Sequence, residues 1–253
     1  MQGEPGVSCG RSSVRRARFG GLIVAVAVAC ASACAGSSAG RGGPGDAEAA
    51  AVVERHLEAQ GGRAALESLK VVERTGALEV FLGAGGGAGV YRTCVVYPGA
   101  AVVSVDAGVV QVAEMIREDG AWMCSVDFGD CQVAHAQKAD ALATFAREDN
   151  RELIFEVDRW VSASVSRDPG GIEIRASTGT GGATYRFEAE GGLLVERREG
   201  DRSRRYLDWR PVEGIAFPHV IEEYDGETLM TRLRLFEIVV SEHPSEWCQG
   251  RLE

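Results

Sequence analysis

Two periodicities divide the chain. Over residues 46–60 the apolar positions Val52, Val53 and Leu57 share one helical stripe, Asp46 stands where an N-cap belongs, and Gly61-Gly62 ends the run. Residues 63–70 repeat the helical spacing with Ala65, Leu66 and Leu69. From Val71 the period becomes two: Leu78 and Val80 flank Glu79, Tyr91, Thr93, Val95 and Tyr97 alternate with Arg92, Cys94 and Val96, and Val103 and Val105 alternate with Ser104 and Asp106. Similar runs recur, separated by Pro98-Gly99, Asp119-Gly120, residues 168–171, residues 179–182, Gly191-Gly192, Glu213-Gly214 and Asp225-Gly226, the turn chemistry that joins antiparallel neighbours. One segment breaks the alternation: residues 138–150 carry Leu142, Phe145 and Ala146 on one face and predict an inserted helix. The pattern is α+β, with a helix or two, about five strands, the inserted helix and about six more strands, and the helices lie on one face of a large antiparallel sheet. Such a sheet curls, and helices over its concave side enclose an apolar cavity. The strand residues that could line it are Leu78, Val80, Trp122, Phe187, Leu207, Trp209, Phe217, Leu233 and Leu235; for each of them ordinary core packing is the competing reading.

Residues 1–33 stand apart. Arg11, Arg15, Arg16 and Arg18 precede an apolar stretch, Leu22 to Ala29, which is shorter than the roughly 20 residues of a spanning helix, and small residues follow. This is the grammar of a secretory signal. A small-residue tripeptide before a cysteine resembles the bacterial lipobox, whose thiol is acylated with chains such as palmitate, and two candidates exist, Cys30 and Cys34. Lipidation at Cys34 leaves Cys94, Cys124, Cys131 and Cys248, an even set suited to an oxidising compartment; lipidation at Cys30 leaves Cys34 as a free thiol. Residues 34–45, rich in Gly and Ser, read as a flexible tether, and residues 46–253 as one folded domain.

Composition narrows the function. The chain has 253 residues, 45% hydrophobic and 25% charged, a globular balance. Removing Arg11, Arg15, Arg16, Arg18 and Glu4 with the signal leaves 23 basic and 36 acidic residues, a net −13, which repels nucleic acid. Gly6-Val7-Ser8-Cys9-Gly10 has the nucleophile-elbow spacing but sits in the signal, without the strand and helix that motif needs. His56, His135, His219 and His243 are scattered, with no metal-ligand spacing. Residues 83–89 are glycine-rich like a phosphate loop, yet a strand follows them rather than a helix N-terminus, so a flexible hairpin loop is expected. Asp127, Asp130, Glu222, Glu223 and Asp225 read as a solvated acidic surface, with an acid pair for glycoside hydrolysis as the alternative. No nucleophile, base and orienting group converge and no cofactor motif stands out, so an enzyme is not expected. Cys124 and Cys131 flank a short segment and can face each other across a hairpin, which leaves Cys94 with Cys248; this is one of three connectivities that sequence does not separate.

Four motifs occur in a telling order: Ala59-Gln60-Gly61-Gly62 with Ala65-Leu66, Leu69-Lys70 and Thr75-Gly76; Asp119-Gly120-Ala121-Trp122; Tyr206-Leu207-Asp208-Trp209; and Val212-Glu213-Gly214-Ile215-Ala216-Phe217-Pro218. In this the chain resembles the LolA/LolB-like family of lipoprotein carriers and receptors and their outer-membrane lipoprotein-sorting relatives. The resemblance implies a half-barrel of about eleven strands with helices as a lid, whose apolar interior holds a hydrophobic ligand or the acyl chain of another lipoprotein. It implies a lipid-anchored envelope protein, at the outer membrane and facing the periplasm. A half-barrel with a filled core that docks proteins is the competing reading, and a periplasmic hydrolase a third. Globomycin treatment or Cys34→Ala is expected to release the protein from membranes in a fractionation assay, with Cys30→Ala leaving attachment unchanged; attachment that survives Cys34→Ala overturns the anchor.

Overall fold

The computed structural model describes residues 44–252 except Ala84, Val109, Val110, Val126, Asp149 and Thr180; the signal, Cys30, Cys34 and most of the tether lie outside the described residues. Helices α1 (Pro44–Gln60) and α2 (Arg63–Ser68) precede a meander of β1 (Val71–Leu82), β2 (Gly85–Val96), β3 (Ala100–Asp106), β4 (Gln111–Arg117), β5 (Gly120–Cys124) and β6 (Cys131–Val133). Then come α3 (Ala136–Glu148), α4 (Glu152–Glu156) and a 3-10 turn (Val157–Arg159). A second meander follows, β7 (Ser162–Asp168), β8 (Gly171–Thr178), β9 (Gly181–Phe187), β10 (Leu194–Glu199), β11 (Arg202–Val212), β12 (Ile215–Asp225) and β13 (Thr228–Ser241), and after it α5 (Glu246–Leu252). All thirteen strands form one open antiparallel sheet, ordered β6-β5-β4-β3-β2-β1-β13-β12-β11-β10-β9-β8-β7. The two meanders thus meet where the first strand pairs with the last.

Alternation sorts the faces. On the concave face Val72, Val95 and Ala101 are in register and join one large core with α1, Ala146 of α3 and Leu153 of α4. On the convex face Val71, Cys94 and Cys248 form a small separate core with Trp247 and Leu252. Helix α5 therefore packs on the convex side, held there by the Cys94–Cys248 disulfide, while α1, α3 and α4 cover the concave side. Both sheet edges are protected. Asp46 accepts the Ala163 backbone N–H at 2.7 Å, so the start of α1 occupies a donor on edge strand β7. At the other edge β6 is three residues long and joined to β5 by Cys124–Cys131.

The structure departs from the sequence reading at four places. Thirteen strands stand where about eleven were expected, because β6 is too short to show alternation and β7 (SASVSRD) carries almost no apolar signal. Asp46 lies inside the first turn of a helix that begins at Pro44, and its side chain accepts a hydrogen bond from β7. Within the glycine-rich segment read as a flexible hairpin loop, Gly85 to Gly89 are paired strand residues opposite Leu82 to Leu78. A Cβ at Gly89 would sit 1.6 Å from the Asp106 carbonyl oxygen, so glycine is needed for close strand approach rather than for mobility. Helices α4 and α5, five and seven residues long, are too short to show a helical period.

The disulfides close loops of different length. Cys94–Cys248 spans 154 residues and Cys124–Cys131 seven; chain-entropy arguments give about 5 and about 2 kcal/mol as upper values. Replacing Cys94 and Cys248 by Ala is expected to lower the unfolding free energy in urea by about 2–4 kcal/mol, more than the Cys124→Ala/Cys131→Ala pair; equal losses would show that α5 contributes little to the sheet.

Candidate functional site

Beneath α1, α3 and α4 the concave face leaves a cavity of about 440 Å3, within the range of about 300–1,000 Å3 usual for small-molecule sites. Strand register gives it two rows of unlike chemistry. One row crosses β9 to β13 as Tyr185, Arg197, Arg204, Glu223 and Thr231, each the direct cross-strand partner of the next. The neighbouring row, two residues further along each strand, crosses β11, β12, β13 and β1 as Tyr206, Ile221, Leu233 and Leu78. Val105, Phe145, Leu153, Leu194, Trp209 and Leu235 extend the apolar side.

The charged row is closed on itself. Glu152 and Glu156, one helical turn apart on α4, each reach Arg197 at 2.8 Å, and Glu199 reaches it at 2.5 Å. Tyr185 donates its hydroxyl proton to Glu156. Arg204 donates to Glu223 at 2.6 Å, and Thr231 donates to the same carboxylate at 3.3 Å. Three carboxylates around one guanidinium leave an excess of negative charge, and of the three Glu156 is the one most shielded from water. Burial, and then repulsion from Glu152, push the Glu156 carboxyl up to about 8 against the pull of Arg197, so it holds a proton at neutral pH. Burial is also the first cause of the raised Tyr185 and Tyr206 hydroxyls.

Three donors at the cavity lack partners among the described residues: the Tyr206 hydroxyl, the Trp160 indole N–H and Arg197 Nε. Trp160 packs on Tyr185 with ring centroids 5.5 Å apart, and Tyr206 is 8% exposed. The Trp209 indole, by contrast, donates to the Leu194 carbonyl at 3.1 Å. His56 lines the rim as a clip: its Nδ1 accepts the Leu194 N–H at 3.1 Å, and its ring lies edge-on to Phe187 and Trp209. Burial lowers its pKa to about 4, opposed by a hydrogen bond to the Gly192 backbone, so it is neutral and structural.

Of the residues picked out by sequence, Leu78, Trp209, Leu233 and Leu235 line the cavity. Val80, Phe187 and Phe217 are buried in the concave core beside it. Trp122 is elsewhere: register places it in the convex row Cys94–Val102–Met115–Trp122, with the Arg117 guanidinium 4.5 Å from its ring. Leu207 is exposed on the outer face. Glu223, read as solvated surface, faces the cavity, whereas Glu222 pairs with Arg232 on the other side of the sheet. The charged row escaped detection because Arg197, Glu199, Arg204 and Glu223 fall at alternate strand positions, which in a lone sequence is the mark of a solvent-facing side. Among the described residues the one grouping with metal-like spacing is Glu73, Cys94 and Cys248; its two sulfurs are bonded to each other, and Glu73 accepts from the Ser245 N–H and hydroxyl.

The structure is a curled open sheet lidded by helices over an amphipathic cavity, and the chain has the LolA-like fold. Its structure is similar to that of a LolA superfamily protein from Nitrosomonas europaea (TM-score 0.52, 9% identity, covering 78% of this chain and 94% of that one). It is similar to a putative outer membrane lipoprotein-sorting protein domain from Vibrio parahaemolyticus (0.52, 10%, 76% and 95%) and to a DUF1329 family protein from Desulfovibrio piger (0.55, 10%, 81% and 98%). No protein-family model and no curated protein matches the sequence. Among the described residues no helix is long and apolar enough to cross a membrane.

The Glu156 proton makes stability depend on pH. Its folded pKa lies above the unfolded carboxylate value, so its contribution is full below about pH 4.5 and is lost as pH rises through about 8. His56 acts with the opposite sign, but mainly below pH 6.5. Between pH 6.5 and 8 the unfolding free energy is expected to fall by about 1–2 kcal/mol, and Glu156→Gln to flatten that slope; an unchanged slope in the variant would remove Glu156 as its source.

Proposed function

We propose that this chain is an envelope lipoprotein, anchored by lipid at Cys34 and facing the periplasm from the outer membrane, that holds a hydrophobic ligand or the acyl chain of another lipoprotein in its half-barrel. Lipoprotein sorting is the process such a molecule would serve. The observation that carries the reading is the 440 Å3 cavity with its apolar wall of Leu78, Ile221, Leu233 and Leu235. A sheet meant only to dock proteins has every reason to fill that space, since a cavity forfeits packing contacts. The fold shared with lipoprotein-sorting and LolA superfamily proteins supports the reading, and the engagement of Glu152, Glu156, Glu199 and Glu223 with arginines favours binding over acid–base chemistry.

The test is native mass spectrometry of the exported Cys30→Ala/Cys34→Ala chain, with organic extraction of whatever co-purifies. One lipid or acylated peptide per chain is the expected result, and Leu233→Trp, which fills the apolar row, is expected to abolish it. A bare mass that stays bare after fatty acids and phospholipids are added would make the molecule a docking module.

A further inference from the structure

Three buried polar atoms on residues of the cavity wall lack partners among the described residues, and two of them can only donate. Every carboxylate of the charged row is engaged: Glu152, Glu156 and Glu199 with Arg197, and Glu223 with Arg204. The Tyr185 hydroxyl proton is given to Glu156. What remains is the Tyr206 hydroxyl, the Trp160 indole N–H and Arg197 Nε, each buried without a partner. Indole and guanidinium N–H groups only donate. Orphaned buried donors are uncommon because each one carries the full desolvation penalty; Tyr206 and Trp160 both line the same half-open cavity, and their polar atoms are covered as the side chains stand, so a head group reaches them on a side-chain rotation. Tyr206 also sits at the boundary of the two rows, beside Arg204 along its own strand and opposite Ile221 across the ladder.

Resting on the reading that the cavity binds a hydrophobic molecule, we propose that this molecule is an amphipath with an acceptor head, a carboxylate or ester, whose oxygens take the Tyr206 hydroxyl and Trp160 indole protons while its tail lies along Leu78, Ile221 and Leu233. An ammonium head fits badly: it has no lone pair with which to accept the Tyr206 hydroxyl or Trp160 indole proton. A bare hydrocarbon fits badly too, because it would cover the donors and leave them unpaired. A carboxylate head would come from a free fatty acid and an ester head from a glycerolipid or lipoprotein; the chemistry presented to the two donors is shared.

The test compares ligands of one tail length on the Cys30→Ala/Cys34→Ala chain at neutral pH, below their micelle concentrations: laurate, methyl laurate and dodecylamine. Each is measured by displacement of the uncharged probe N-phenyl-1-naphthylamine, whose own direct binding is titrated first. Laurate, methyl laurate or both are expected to bind about tenfold or more tighter than dodecylamine, the loss of a paired head being of that order. Preference between the first two identifies the source, free acid or esterified lipid. Tyr206→Phe and Trp160→Phe are each expected to weaken the acceptor ligands about fivefold to twentyfold more than they weaken the naphthylamine and dodecylamine on the same variant, a pattern that misfolding would not give. Naphthylamine binding with dodecylamine equal to or better than laurate and its ester, or with both variants matching wild type, overturns the acceptor head and leaves the hydrophobic cavity standing. No binding of any probe, naphthylamine included, overturns the binding reading itself.

Discussion

Everything in this molecule depends on the ladder between β1 and β13, which joins strands more than 150 residues apart in the sequence. Without it the chain is two meanders, each with two open edges and half a cavity. The ladder is bulged between Thr75 and Gly76, where a Cβ would lie 2.5 Å from the Arg234 carbonyl oxygen; glycine is the residue that lets the two backbones approach so closely. A bulge in a central ladder sharpens the local twist, and this one lies where the sheet must turn from its N-terminal to its C-terminal half. Past the bulge, register sets Leu78 against Leu233 and so completes the apolar row that begins at Tyr206. The Cys94–Cys248 disulfide ties the chain just after β13 to β2, the other neighbour of β1, so the seam is closed on its convex side as well.

A row of charges inside a half-barrel costs desolvation, and here the cost is met by mutual pairing. Arg197 alone would be an unpaired buried cation; with Glu152, Glu156 and Glu199 around it the group is anionic, and a proton on Glu156 halves the excess from −2 to −1. The pairing uses arginine donors and carboxylate acceptors together, and the unpartnered polar atoms beside it are those of Tyr206, Trp160 and Arg197 Nε. The same sheet register that keeps the charges together keeps them two residues away from Leu233 and Ile221, which is why one cavity can be apolar along one row and hydrogen-bonding along the next.

The α+β class, the lidding helices and the curled antiparallel sheet were legible in the sequence, since strand alternation and Gly/Asp turns repeat clearly along most of it. Their limits were those of periodicity. β7 has two apolar side chains in seven residues and β6 is three residues long, too little for a pattern. The cavity was legible in part: Leu78, Trp209, Leu233 and Leu235 line it, but Trp122 looks the same in sequence and faces the convex side. Hydropathy states that a residue is apolar, not which face of a curled sheet it meets. The charged row ran against that rule, because alternating Arg and Glu normally mark solvent, and only the contact of α4 with the β9 to β13 meander turns that face inward.

Helix α4 links the lid to the floor. At five residues it is far below the length at which a helix holds itself in water, so its position is set by tertiary contacts. Two of these are the Glu152 and Glu156 pairs to Arg197. A third precedes the helix: Arg151 donates to the Leu69 carbonyl at 2.6 Å and lies 3.8 Å over the Tyr97 ring, fixing the segment to the start of the first meander. The segment is therefore held on one side by the N-terminal half of the sheet and on the other by the charged row of the C-terminal half. Any ligand that engages Tyr206 and Trp160 lies between those two attachments, beside the Arg197 cluster that holds the lid in place.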